Sequence, residues 1–440
     1  MKNLAGALAV GLALAAVWPE GASAQAIPPG AMFRSDPAHT GRYDSPPIPE
    51  VKAQLWRFQT RGKIFSSPAL ADGLLYFGGT DDYLYAVDIR TGMARWQFMA
   101  RNDIRSSPAV VGGVVYFGSD DKHLYAIDAR TGIEKWRFLT GADVDSSPTV
   151  WGGLVYVGSH DKHLYAVDAA SGMEKWRVKA DKAVSASPAV ADGLVFVGDT
   201  GGHFFAADAM TGMQRWRFKA DKGIVGSATV AGGIVYFGDE RGNLYALEAA
   251  TGQQKGLFKA DKGIETSPAF SGGLLFFGSN DKTLYAIDVK AGQIRWRCQA
   301  GDDIRSSPVV AGDMVYFGSR DRDLYAVDAA SGQVKWKFRT EKEVCASPLV
   351  ADGVVYVAST DHAVYALSGV APPPAPPPPP PAPVTGAPPA PGTPPAPLTP
   401  PSAAPPPIPP PPPTAPPPPP VPAPTPPNPP APPPPVPAPK

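Results

Sequence analysis

A unit of forty residues recurs eight times between Ile64 and Val370 with almost no insertion or deletion. A Ser-Pro step marks it at Pro68, Pro108, Pro148, Pro188, Pro268, Pro308 and Pro348, and Ala228 holds the remaining place. A Leu-Tyr-Ala-x-Asp run recurs at Leu84–Asp88, Leu124–Asp128, Leu164–Asp168, Leu284–Asp288 and Leu324–Asp328. A tryptophan recurs at Trp96, Trp136, Trp176, Trp216, Trp296 and Trp336. A fixed period of this length in a strand-rich chain means that each unit buries its apolar face against its neighbours. Residues common to every unit are therefore read first as structural.

One unit, Ser106 to Ala142, shows the local logic. Ser107–Val111 is a short apolar strand opened by proline, which is tolerated at a strand start. Gly112-Gly113 is a two-residue hairpin turn needing positive φ. Val114–Gly118 is rich in β-branched and aromatic residues and reads as a second strand. A polar turn follows, then a third strand over Leu124–Asp128. Asp128 to Gly132 is a tight turn, with Asp bonding the backbone ahead and Gly supplying left-handed φ. Glu134–Leu139 alternates, so Trp136 and Phe138 face one side and Lys135 and Arg137 the other. Four antiparallel strands make one propeller blade. The fold class expected is all-β: an eight-bladed β-propeller spanning residues 52–370. The last unit has only three strands, while Trp56, in Leu55–Phe58, precedes the first Ser-Pro. Ala53–Gln59 is therefore expected to complete the blade begun at Cys345 and so close the ring.

The ends differ in kind. Met1–Ala24 has a charged start at Lys2, an apolar run over Leu4–Val17 and Ala22-Ser23-Ala24 before Gln25, which reads as a secretory signal peptide. Its apolar run is short for a membrane span, which needs about 20 residues. No cysteine lies near the cleavage site, so no lipid anchor is indicated. Residues 25–51 form a lead-in. Residues 371–440 contain 43 prolines in 70 residues, no aromatic residue and one charge, Lys440. Such a segment buries no core, and it is expected to be a disordered spacer or tether of polyproline II character. The expected location is periplasmic or secreted, with no transmembrane segment in the mature chain, which is expected to be a monomer.

The run Ala-x-Asp-x-x-Thr-Gly-x-x-x-Trp, at Ala86–Trp96, Ala126–Trp136 and Ala206–Trp216, resembles the repeat of pyrroloquinoline-quinone (PQQ)-type propellers. With Ser for Thr it recurs at Ala166–Trp176 and Ala326–Trp336. The lead-in Met32–Gly41 is similar to that of many secreted propellers of this kind. The family includes quinoprotein alcohol dehydrogenases and the non-enzymatic propeller of the outer-membrane barrel-assembly machinery. The resemblance implies that each tryptophan packs near the glycine of a neighbouring turn, here Gly92, Gly132, Gly172, Gly212, Gly292 and Gly332. A dehydrogenase of this family would need a closed pocket for PQQ, a calcium held by carboxylate and amide ligands, and a catalytic Asp. The family's enzymes carry long insertions that build the pocket, and many have adjacent cysteines. Here the units are bare and Cys298 and Cys345 are far apart, so neither a catalytic residue nor a PQQ–calcium site is assigned. Both cysteines are expected to stay unpaired.

Lys plus Arg balances Asp plus Glu at 40 each, which leaves no electrostatic footprint for nucleic acid. The cations of the fourth strands are read as protection of exposed edges. His123, His163 and His203 share one position but would lie too far apart for a shared metal, so no metal site is assigned. The variable place is two residues before the Ser-Pro step or its counterpart: Phe65, Arg105, Asp145, Ser185, Val225, Glu265, Arg305 and Cys345. It enters the innermost strand and so lies near the axis. Arg105 with Asp145, and Glu265 with Arg305, are expected to pair on adjacent blades and to form the candidate ligand site of an axial funnel. The expected function is a non-catalytic scaffold for envelope proteins or cell-wall polymers. The alternatives are a PQQ-dependent dehydrogenase and a small-ligand sensor.

Overall fold

The computed structural model describes residues 30–371. Those residues form strands and turns, and no helix occurs among them. The signal-peptide reading and all but the first residue of the proline-rich segment lie outside the described residues. The strands sort into eight sheets. In the first blade Ala69–Ala71, Leu74–Gly78, Tyr83–Asp88 and Ala94–Met99 run antiparallel from the axis outward. The expected closure is present. Ala53–Gln59 pairs antiparallel with Ala363–Ser368 and becomes the outermost strand of the eighth blade.

The recurring residues have recurring tasks. The hairpin between the two inner strands sits at positive φ, as at Gly112 and Gly113 (60° and 73°). A bulge interrupts the pairing of the third and fourth strands at the residue before the tryptophan. That residue is usually a cation, and it turns back to the carboxylate of the preceding tight turn. Arg95 meets Asp88 at 2.9 Å, Lys175 meets Asp168 at 3.1 Å and Arg215 meets Asp208 at 2.6 Å. These cations thus hold the turn that leads into the outer strand, in addition to lining an edge.

Six tryptophans, from Trp56 to Trp296, lie on the glycine of the next blade's turn. A Cβ at Gly132 would stand 2.8 Å from the indole of Trp96, and one at Gly332 would stand 2.5 Å from Trp296. The indole N–H donates to a carbonyl beside that turn, as from Trp96 to Ala129 at 2.9 Å and from Trp176 to Ala209 at 3.1 Å. The expected glycine set needs one correction. Gly252 belongs to it, beneath Trp216. Gly292 does not, because residue 256 is itself glycine and leaves nothing within 4 Å of that position.

A second closure lies at the axis. The serine of each Ser-Pro step, and Ser227 in the blade without proline, donates its N–H to the next blade's serine hydroxyl. The links run from Ser67 to Ser107 (2.9 Å), Ser107 to Ser147 (3.0 Å) and onward around the ring. The last, from Ser347, returns to Ser67 at 2.9 Å. The circle is complete and buried. A serine is therefore required there by the ring as a whole rather than by the turn it occupies.

The lead-in occupies the channel. Carbonyls of Gly30, Ala31, Pro37, Ala38, Thr40 and Gly41 accept the N–H groups of Leu70, Val110, Val190, Val230, Phe270 and Val310, all on innermost strands. The blade at Thr149 is reached by a side chain. Thr149 donates to the Pro188 carbonyl at 2.7 Å, so its hydroxyl accepts from His39 Nε2 at 3.0 Å. Arg42–Tyr43 adds a fifth, parallel strand to Val309–Ala311. Arg34, 2% exposed, donates to the Pro268 and Pro308 carbonyls. Burial lowers its pKa to about 10 and drives that of His39 down to about 3, so the imidazole is neutral. Further on, Ile48 supplies the carbonyl that Trp336 takes at 2.7 Å. It thereby replaces the turn that the three-stranded last unit lacks.

Candidate functional site

Two loops of every blade meet at the mouth of the channel. One enters the innermost strand and carries the variable position. The other is the turn between the second and third strands. They are clamped by one backbone bond per blade, as from Asp120 N–H to the Asp103 carbonyl (3.0 Å) and from Asn280 N–H to the Gly263 carbonyl (2.9 Å). The clamp brings a second variable position to the same rim: Thr80, Asp120, His160, Thr200, Glu240, Asn280, Arg320 and Thr360.

The expected Arg105–Asp145 pair is not a direct contact. Arg105 donates to Asp120 and to Asp103, both at 3.1 Å, and stacks over Phe65 at 5.6 Å from the ring centre. The clamp explains this, since it fixes Asp120 of the same blade within reach before Asp145 of the next. Asp145 meets His160 Nε2 at 3.2 Å, and Ser185 Oγ reaches the same nitrogen at 2.9 Å. Glu265 and Arg305 do approach each other, at 3.6 Å, while Asn280 donates to Glu265 at 2.6 Å. Arg320 then links to Glu343 at 3.0 Å and to Asp303 at 3.8 Å. The rim thus divides into two polar arcs, Phe65 to Ser185 and Glu265 to Cys345, with Val225 between them.

The first arc holds unusual carboxylates. Burial, reinforced by the Asp145 carboxyl beside it, pushes Asp120 up to about 7. Burial also opposes ionisation of Asp145, but bonds from His160 and from Asp120 outweigh it and hold Asp145 below the usual carboxylate range. His160 is raised, chiefly by its bond to Asp145. One proton is therefore held between two carboxyls near neutral pH. Asp120 Oδ1 and Asp145 Oδ1 are both buried, and apart from the proton the two carboxyls share they have no partner among the described residues.

The histidines His123, His163 and His203 sit at strand starts, and each faces an aspartate of its own blade, as His163 does Asp161 at 3.2 Å. Cys298 is buried in the outer wall, and burial drives the thiol of Cys345, at the mouth, up to about 12. Among the described residues no three of His, Cys, Asp or Glu gather as a metal would require. Sequence reasoning did not reach Asp120, His160, Asn280 or Arg320. Its own signal, variation inside a rigid repeat, would have found them one turn further along.

Blade count, repeat and closure define an eight-bladed propeller of PQQ-type repeats. The profile of the family described as outer membrane protein assembly factor BamB matches residues 50–148, 139–256, 222–308, 257–343 and 303–371, and the chain belongs to that family. Similar solved structures include BamB from Moraxella catarrhalis, at 19% identity and a TM-score of 0.63, covering 72% of this chain and 99% of that one. The quinohemoprotein alcohol dehydrogenase from Comamonas testosteroni is similar at 16% identity and a TM-score of 0.68, covering 78% of this chain and 81% of that one. A computationally designed protein, Ika8, aligns at 17% identity and a TM-score of 0.66, covering 72% of this chain and 99% of that one. At these identities the likeness speaks to the fold. Comparison with curated proteins returned no significant match.

Proposed function

We propose that this chain is a non-catalytic propeller of the cell envelope. In this reading it serves the assembly of outer-membrane proteins as a docking platform, with the charged mouth as its docking face. One observation carries the reading. The channel is filled from within by residues 30–43, while the blade-to-blade variation is concentrated on the rim that stays open. Fold alone does not select a function, and the site has to supply the distinction. A PQQ–calcium dehydrogenase fits these residues poorly. The axis at the level of the innermost strands is occupied by Arg34 and His39, which are 2% and 0% exposed. The cysteines are not adjacent, and no ligand set for calcium is gathered among the described residues.

The test places a photo-crosslinking residue at Val225, between the two arcs, in cells. Adducts with components of outer-membrane protein assembly that disappear in Arg105→Ala/Arg305→Ala support the reading. Adducts with cell-wall polymer alone, or none, overturn the assembly role. PQQ- and calcium-dependent dye reduction by the purified protein would overturn the non-catalytic one.

A further inference from the structure

The fifth blade leaves open a slot that the other blades fill with their own tryptophan. Seven tryptophans donate their indole N–H to a backbone carbonyl of the next blade or, for Trp336, of the lead-in. The carbonyl lies 33 residues ahead in every case but the last. At the fifth blade the donor position is Gly256 and the matching acceptor is Val289. A Cβ on Gly256 would meet only Ala246, at 3.5 Å. The result is an apolar cavity of about 340 Å³ lined by Tyr236, Leu244, Ala246, Phe258 and Ile287, with Gly292 as its floor.

The walls carry the imprint of the missing side chain. Ala246 is partly exposed, whereas Ala126, Ala166, Ala286 and Ala326 at the same position are 0% exposed. Tyr76, Tyr116 and Tyr156 donate to the carbonyl that their blade's tryptophan also uses. Tyr236 has no such bond, as Tyr356 beside Trp56 has none either; what sets the fifth blade apart is that among the described residues nothing donates to the Val289 carbonyl. The slot therefore offers a mainly apolar space, at the place where other blades seat an indole, with one unused hydrogen-bond acceptor at Val289.

The rim of the slot is altered in the same sense. Leu257, 56% exposed, stands where Arg137, Arg177, Arg217, Arg297 and Lys337 stand in other blades. Gln254–Lys259 is an edge strand whose outer side is unpaired. Cations discourage strand addition at such edges, and this edge has lost one. An extended polypeptide can add there while it inserts a side chain.

We propose that the groove between the fifth and sixth blades is a docking site for a partner polypeptide, which inserts a tryptophan side chain into the slot vacated at Gly256 and donates its indole N–H to the Val289 carbonyl. The site lies on the outer wall and is independent of the mouth. The probes are N-acetyl-tryptophanamide, its 1-methyl derivative and N-acetyl-leucinamide, followed by NMR on the full-length protein with labelled methyl groups. The tryptophan amide should shift the methyl signals of Leu244, Leu257, Ile287 and Val289. The 1-methyl derivative, lacking the N–H, should bind about fivefold more weakly, the equivalent of one neutral hydrogen bond of about 1 kcal/mol. The leucine amide should bind more weakly still. Gly256→Trp should abolish the shifts by filling the slot. Ala246→Leu, which narrows it without supplying an indole, should do the same if the first variant misfolds. Absent shifts, equal binding of the three amides, or binding retained in a folded filled-slot variant would overturn the proposal.

Discussion

Filling the slot from within should stabilise the ring, and Gly256→Trp measures by how much. An aromatic side chain of this size buries about 150–250 Å² when fully enclosed. At about 25 cal/mol per Å² that is about 4–6 kcal/mol. The slot is open on its outer side, so roughly half of this is available, or about 2–3 kcal/mol. The indole bond to Val289 adds about 1 kcal/mol, and ordering the side chain removes about as much. Replacing a strand glycine adds a further small gain. Val289 stands where most blades have alanine, which could crowd the ring. Trp56 answers that objection, since it packs beside Ile89 and donates to the Ile89 carbonyl at 2.7 Å. The net expectation is about 2–3 kcal/mol, a rise in Tm of roughly 4 °C for a domain of this size. The reciprocal Trp136→Gly should lower stability by about 3–5 kcal/mol. Differential scanning calorimetry and urea unfolding measure both. An unchanged or lower Tm in a correctly folded Gly256→Trp would refute the reasoning. It would mean that Phe270, which stacks on Tyr236 with ring centres 6.5 Å apart, has already repacked the space.

Other outcomes follow from the same structure. Ser147→Ala removes the hydroxyl that accepts from Ser107 N–H, leaving a buried donor unpaired, and should cost about 1–3 kcal/mol by chemical denaturation. Arg34→Ala should cost about 3 kcal/mol or more, because the Pro268 and Pro308 carbonyls lose a charged donor inside the channel. Equal unfolding midpoints for Arg34→Ala and wild type would show that the lead-in does not brace the blades. The mouth should make stability depend on pH. Asp120 is raised, so the folded state holds a proton that the unfolded chain releases; its contribution is full below the unfolded carboxylate range and is lost as pH rises through about 7. His160, also raised, acts in the same sense. Asp145 is lowered, so its contribution is lost only as pH falls below the ordinary carboxylate range. Asp120→Asn should flatten the unfolding midpoint between pH 5 and pH 8, and a slope equal to that of wild type would count against a shared proton.

The sequence by itself determined the blade, its four strands, the number of blades and the strand that closes them. Each of these depends on a local pattern repeated without interruption. Alternation sets the faces of Glu134–Leu139, Gly112-Gly113 can adopt the required turn, and Trp56 has no partner strand except in the last unit. It also marked the variable place at Arg105 and Glu265. What it could not decide were contacts between residues separated by irregular distances along the chain. The lead-in Met32–Gly41 was legible as a motif, but its path through the channel depends on backbone carbonyls, which every residue carries and no side-chain pattern advertises. The serine circle depends on eight copies of one residue meeting only after the ring has closed. Arg105 does not pair with Asp145, because blades that are neighbours need not touch at the rim, and the backbone clamp between Asp103 and Asp120 puts a nearer carboxylate in the way. The substitution at Gly256 was visible as a missing tryptophan. Only the tertiary structure showed that the space stays open, because whether neighbours collapse into a gap is settled by packing across two blades and not by either sequence segment alone.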